Sequence, residues 1–337
     1  MRDKTDAMTL SISRRTFVGG VAALPLAGAM SSGAGAQAAW PSRNVTMIVP
    51  FPPGGLADLA ARPVAQALDK VLGHAFVVDN RAGAGGALGA GVVAKADPDG
   101  YTTLVTLNSL VVSPESDRLF NRTPIYEVPQ LTPVAQIISD PNVIAVEASS
   151  PWKTVKDFIE DAKKRPGQIT YSSSGNYGAA HLSMEMFARD TGIKLQHVPY
   201  RGAGPAITGL IGGQVGATST TVGTIISQIE AGKIRVLAAI SDKRIDNLPN
   251  VPTLKEAGIP LSFYVWAGMF VPKATPEAVV TRLRGAMRTV LTGPAVTAIY
   301  TKAGTKVAYL DAPDFAKVVA ADHTRLAKVV KDIGKLD

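Results

Sequence analysis

A strand-like run, Val45 to Val49, opens through Pro50-Phe51-Pro52-Pro53-Gly54-Gly55 into a segment where Leu56, Leu59, Ala60, Ala67, Leu68, Val71 and Leu72 share one helical face. Phe76 to Val78 repeats the unit, running through Asp79-Asn80-Arg81-Ala82-Gly83-Ala84-Gly85-Gly86 into a small-residue helix that ends near Lys95. Ile169 to Ser172 repeats it again, through Ser173-Ser174-Gly175-Asn176-Tyr177-Gly178 into a helix carrying His181 and Glu185. Strands alternating with helices in this way predict an α/β protein with largely parallel sheets.

The remaining pattern fits two lobes. Thr102 to Leu107 reads as a strand with Asn108-Ser109 at its carboxyl end, and Pro114 to Pro129 reads as irregular. Strands at 134–138 and 143–146 cross toward a second lobe, where Leu195 to Val198, Val215 to Thr218 and Val236 to Ile240 are further strands. Helical patterns over Pro276 to Leu291 and Phe315 to Ile333 complete the first lobe, and Pro63 is expected to kink the first helix. The expected plan is a discontinuous first lobe, residues 39–140 plus 263–337, and a second lobe, 141–262, each a mainly parallel sheet flanked by helices.

Residues 1–38 read as an export leader. Arg2, Lys4, Arg14 and Arg15 form a basic front, and Phe17 to Ala29 a mild apolar core too short for a bilayer. Ser13-Arg14-Arg15-Thr16-Phe17-Val18 resembles a twin-arginine signal, and Ala36-Gln37-Ala38 offers a cleavage site near Ala38, so a periplasmic location is expected. No later stretch holds the ~18 uninterrupted apolar residues of a membrane span. The absence of cysteine excludes disulfides, thiolate metal sites and cysteine nucleophiles. The net charge is +8; the leader carries four basic and two acidic residues, which leaves about +6 and favours anionic ligands. Dispersed Lys and Arg with only 6% aromatics argue against nucleic acid as a partner.

In open parallel sheets, ligands bind beyond the carboxyl ends of strands, where helix N-termini present unpaired N–H groups and a partial positive charge to an anion. Three glycine-containing turns, Gly54-Gly55, Gly83 to Gly86 and Ser173 to Gly178, stand at such junctions and point to one shared site. Gly83 to Gly89 misses the dinucleotide fingerprint, because Leu88 stands where the third glycine is required, and no phosphate-loop motif follows. There is no Gly-x-Ser-x-Gly elbow, and His74, His181, His197 and His323 lack metal-ligand spacing. No cofactor, metal ion or catalytic residue is assigned. Asp58, in the first turn of its helix, suits either the helix dipole or a pocket.

These residues carry a family resemblance. Val49-Pro50-Phe51-Pro52-Pro53-Gly54-Gly55 with Asp58, Asp79-Asn80-Arg81, Asp99-Gly100-Tyr101-Thr102, Tyr171-Ser172-Ser173, Val198-Pro199-Tyr200-Arg201-Gly202, Leu248-Pro249-Asn250-Val251-Pro252-Thr253 and Trp266-Ala267-Gly268 follow one another through the chain. It resembles the Bug receptors, the solute-binding components of tripartite tricarboxylate transporters. The resemblance implies a two-lobed Venus-flytrap receptor, working as a monomer, that holds a small carboxylate in its cleft and docks on membrane transporter subunits. Carried over, the contacts are Phe51, Pro53, Gly54, Gly55, Asp58, Gly85 and Gly86 from the first lobe, and Ser173, Gly175, His181, Tyr200, Arg201 and Gly202 from the second. Asn108 and Ser109 join them from their place at a strand end. After Gln214-Val215 the family's two acidic positions are replaced by Gly216, Ser219 and Thr220, so the distal pocket, Thr220 included, is expected to suit an anionic or polar group better than an ammonium. An exported enzyme and a ligand sensor for a membrane partner are the alternatives.

Overall fold

The computed structural model describes residues 40–335; the leader, with Arg14, Arg15 and Ala36-Gln37-Ala38, lies outside the described residues. The chain begins with β1 (Val45–Val49), α1 (Leu56–Leu72), β2 (Phe76–Asn80), α2 (Ala87–Ala94), β3 (Thr102–Leu107) and α3 (Ser109–Leu119). β4 (Leu131–Glu147) leads into α4 (Val155–Lys164), β5 (Thr170–Ser173), α5 (Ala179–Thr191), β6 (Gln196–Pro199), α6 (Ala203–Ile211), β7 (Ala217–Thr221), α7 (Val222–Glu230) and β8 (Ile234–Ala239). The return runs through β9 (Tyr264–Pro272), α8 (Glu277–Thr292), α9 (Pro294–Lys302), β10 (Val307–Asp311) and α10 (Ala312–Ile333).

Each lobe has a parallel core of three strands, β2-β1-β3 in one and β6-β5-β7 in the other. Both are extended antiparallel, by β9, β4 and β10 in the first lobe and by β4 and β8 in the second, so the sheets are more mixed than the sequence suggests. β4 is the shared strand. Residues Leu131 to Pro141 pair with β9, and Asn142 to Glu147 pair with β7 and β8. The two strands expected at 134–138 and 143–146 are therefore one. Pro141 has no N–H to donate, but it sits opposite Tyr264, and the Asn142 N–H reaches the Phe263 carbonyl at 3.0 Å, so pairing continues past it.

Side chains alternate along β4 as the two-residue strand period requires. Val143 and Ala145 face Ile207, Leu210, Val222 and Ile225 under α6 and α7. Ile144 and Val146 join the main core with Phe158 and Phe187. α3 occupies part of the stretch expected to be irregular: Pro114 removes one helical N–H, and the Leu110 carbonyl, four residues earlier, instead accepts the Tyr126 hydroxyl at 2.7 Å. Pro63 also lies within an unbroken α1; the carbonyl its missing N–H leaves free is that of Leu59, and the adjacent Ala60 carbonyl accepts the Tyr300 hydroxyl at 2.6 Å.

Trp266-Ala267-Gly268 is a packing device. A Cβ on Gly268 would lie 2.2 Å from the Phe315 ring, which is fully buried and meets Trp266 edge-on at 5.2 Å. Gly268→Ala is expected to lower the unfolding free energy by about 1–3 kcal/mol through overpacking, measured by denaturant titration, with Phe315→Leu relieving part of the loss. A neutral Gly268→Ala would contradict this packing.

Candidate functional site: a cleft ringed by helix N-termini

The first-lobe wall of the cleft is the β1–α1 turn (Phe51, Pro52, Pro53, Gly55, Leu56 and Ala57) with Leu107 from β3 and Val265 from β9. The second-lobe wall comprises Asn142, Ser174, Ala179, Ala180, the start of α6 from Gly202 to Ile207, Thr218 to Thr221, and Thr224. The cavity volume is ≈ 110 Å³, several times the ~10–15 Å³ a single water needs. No lining residue is ionisable.

The positive character of the cleft comes from backbone. α1, α5, α6 and α7 all begin at its wall, and their N-caps, Gly55, Gly178, Gly202 and Thr221, make no side-chain capping bond. α2, α3, α8 and α9 also lack a side-chain capping bond, whereas α4 and α10 are capped by the Thr154 and Asp311 side chains; what sets α1, α5, α6 and α7 apart is that all four begin at the cleft. First-turn N–H groups without a side-chain acceptor, each at the positive end of a helix dipole, are the donor set an anion requires.

Asp58 holds the first turn from behind. It is buried, accepts the Gly54 N–H and Arg62 Nε at 3.0 and 2.9 Å through Oδ2, and accepts Asn80 Nδ2 at 3.0 Å through Oδ1. Asn80 also donates to the Phe51 carbonyl at 3.0 Å, which fixes both ends of the turn. Burial pushes the Asp58 carboxyl up, but the bonds from Arg62, Gly54 and Asn80 outweigh it and hold the group below its ordinary value. Asp58 and Gly54 thus shape the wall without lining it.

Of the sequence-derived contacts, Phe51, Pro53, Gly55, Gly202 and Thr220 line the cleft. Gly85 and Gly86 stand beside it: a Cβ at Gly86 would meet the Phe51 ring at 2.9 Å, and one at Gly85 would face the Asn176 carbonyl at 3.9 Å. Asn108 stands at the N-cap position of α3 without a side-chain capping bond and donates to the Tyr264 carbonyl at 3.3 Å; neither it nor Ser109 lines the cavity. The Ser173 hydroxyl is bound to the Gly175 carbonyl at 3.0 Å and to His197 Nε2 at 2.6 Å, leaving Ser174 at the cleft. A Cβ at Gly175 would face the Tyr200 carbonyl at 3.9 Å, and the Tyr200 hydroxyl donates to Gln214 at 3.0 Å. Arg201 is exposed outside the lining set. Gly216 packs under Trp152.

His181 lies in the core. Its Nδ1 accepts the Tyr177 N–H at 2.9 Å, and its ring stacks on His197 at 4.0 Å. Burial, with the His197 charge as a second cause, lowers its pKa to about 3, and burial lowers that of His197 to about 4. At pH 7 the folded pair is neutral and the unfolded imidazoles are mostly so. Below about 6.5 the unfolded chain takes up two protons that the native pair refuses, so stability falls with pH until the native pair titrates near 4 and 3. Asp140, raised to about 6 by burial, opposes this with one proton. The net expectation between pH 6 and 4 is a loss of roughly 1.4 kcal/mol per pH unit, read by denaturant titration; a flat profile would contradict the buried neutral pair.

Sequence reasoning missed Asn142, Thr224 and α6 from Ala203 to Ile207; Ser174 and Thr221 lay inside stretches it pointed to without being named as contacts. The Thr218-Ser219-Thr220-Thr221 run was the available signal, since hydroxyls at a strand end before a helix are placed to line a site.

Two lobes joined by a shared strand, with an uncharged cleft of converging helix N-termini between them, define a solute receptor of the periplasmic binding-protein kind. The chain belongs to the tripartite tricarboxylate transporter receptor family, whose model matches residues 60–335. Protein BugT of Bordetella pertussis is 33% identical over 298 residues, covering 88% of this chain and 90% of BugT. Among solved structures, Rpa4515 of R. palustris with adipate is 35% identical with a TM-score of 0.82, covering 87% of this chain and 97% of that one. MatC of Rhodopseudomonas palustris with bound malate is 28% identical with a TM-score of 0.78, covering 86% and 99%.

Proposed function

We propose that this receptor is exported to the periplasm, its leader cleaved near Ala38, and that it captures a small carboxylate for the membrane subunits of a tripartite tricarboxylate transporter, as a monomer and without catalysis. The observation that carries this is the convergence of α1, α5, α6 and α7, none with a side-chain cap, on a cleft without ionisable residues. Adipate in one relative and malate in another support a carboxylate as the ligand class. Among the described residues no helix is long and apolar enough to cross a membrane.

The lobes, 39–140 with 263–337 and 141–262, close about the crossings in β4 near Asp140 and at the start of β9. What supports this division is the change of pairing partners along β4 between Pro141 and Asn142. A ligand favours closure only through contacts it makes with both walls. Thermal shift with aliphatic, aromatic and tricarboxylic acids, sugars and amines tests the function. At least one carboxylate should raise the midpoint; a response confined to sugars or amines would refute it.

A further inference from the structure

The backbone crosses between the lobes in β4 and again before β9, and a third tie joins them through packing alone. The loop between α9 and β10, Ala303 to Lys306, belongs to the first lobe. Its root is the crossing in β4, where the buried Asp140 carboxylate accepts the Thr305 hydroxyl and the Lys306 N–H. Its tip rests on α7 of the second lobe. A Cβ on Gly223 would stand 3.1 Å from the Ala303 carbonyl oxygen and 3.6 Å from Thr305 Cβ, and one on Gly304 would stand 3.3 Å from Ile226 Cβ. Gly304 has φ +74 and needs glycine for its conformation, whereas Gly223 is helical, so what its missing side chain supplies is room for the loop. The exposed Lys306 and Asp246 side chains pair between the same two lobes and add little. None of Gly223, Ile226, Ala303, Gly304 and Thr305 lines the cavity, but Thr224, beside Gly223 on α7, does.

We propose that the α9–β10 loop is a latch: docked on α7, it holds the lobes together, so that part of the affinity for ligand is set at a contact the ligand never touches. The latch rests on the receptor function and the lobe division proposed above. A receptor that visits its binding-competent form for only a fraction of the time binds more weakly by that fraction. Loosening the latch therefore raises the dissociation constant without altering any group in the cleft.

Gly223→Ala tests this, because alanine ordinarily favours a helix over glycine and here it wedges the loop away from α7. Hydrogen exchange of the Gly304 to Lys306 amides should quicken about tenfold as the loop lifts. Calorimetric titration with adipate and with malate should show a dissociation constant raised about five- to tenfold for each acid the parent binds. Thr305→Val, which frees the root from Asp140, should act in the same direction, and Thr305→Ser should restore parent-like exchange and affinity. Unchanged exchange in Gly223→Ala overturns the latch. Faster exchange with parent-like affinity also overturns it, because the loop is then a packing contact and nothing more. Should the parent bind neither acid, solution scattering of the unliganded proteins decides: a larger radius of gyration in Gly223→Ala supports the latch, and an equal radius overturns it. The receptor function stands apart from all of these outcomes and falls only if no carboxylate raises the thermal midpoint of the parent.

Discussion

Gly202→Val is expected to raise the dissociation constant for the bound carboxylate by about 10- to 100-fold, equivalent to ~1.4–2.8 kcal/mol, and to lower the unfolding free energy by about 1–3 kcal/mol through backbone strain. Gly202 has φ +117, a conformation that L side chains rarely adopt, and a Cβ there would stand 3.0 Å from Pro52 Cγ. Both residues line the cleft from opposite lobes, and Gly202 is the N-cap of α6. The substitution therefore acts where the two walls approach each other. Calorimetry gives the affinity, and solution scattering should show less contraction at saturating ligand than in the parent. Parent-like affinity and contraction would remove Pro52 and Gly202 from the closing contact.

Asp58→Ala is expected to cost about 2–3 kcal/mol of stability and to weaken ligand binding about tenfold or more. The carboxylate is buried and accepts from Gly54, Arg62 and Asn80, so truncation leaves the Gly54 N–H and the Asn80 amide without their partner. Arg62 is half exposed and returns to water, which keeps the loss below that of a fully buried ion pair. The turn from Phe51 to Gly55 then loses its fixed shape, and with it the register of the α1 amides. Asp58→Asn should fall between the two proteins, since its oxygen can still accept from Gly54. Unaltered affinity in Asp58→Ala would show that the turn holds itself.

The strand–turn–helix units were legible because local rules dictate them. Val45 to Val49, the Gly54-Gly55 turn and the apolar face of α1 each follow from their own residues, and the structure places them as expected. Segments decided by tertiary partners were harder to read. Pro114 signals a break, yet α3 runs through it, with the Leu110 carbonyl taken up by the distant Tyr126 hydroxyl. α6 was hidden because Gly202-Ala203-Gly204-Pro205 reads as a loop, although proline is tolerated in a first helical turn. At the cleft, motif residues such as His181, Ser173 and Asp58 proved to hold the walls in place. The lining itself is largely backbone and small side chains, which leave little trace in composition.

A crystal structure with a dicarboxylate such as adipate bound tests the central claim most directly. One carboxylate should accept N–H groups from the first turn of α1, with a second-lobe helix N-terminus completing its contacts, the molecule enclosed between Pro52 and Gly202. A carboxylate pointing to solvent, or paired with a Lys or Arg side chain outside the cleft, would contradict it.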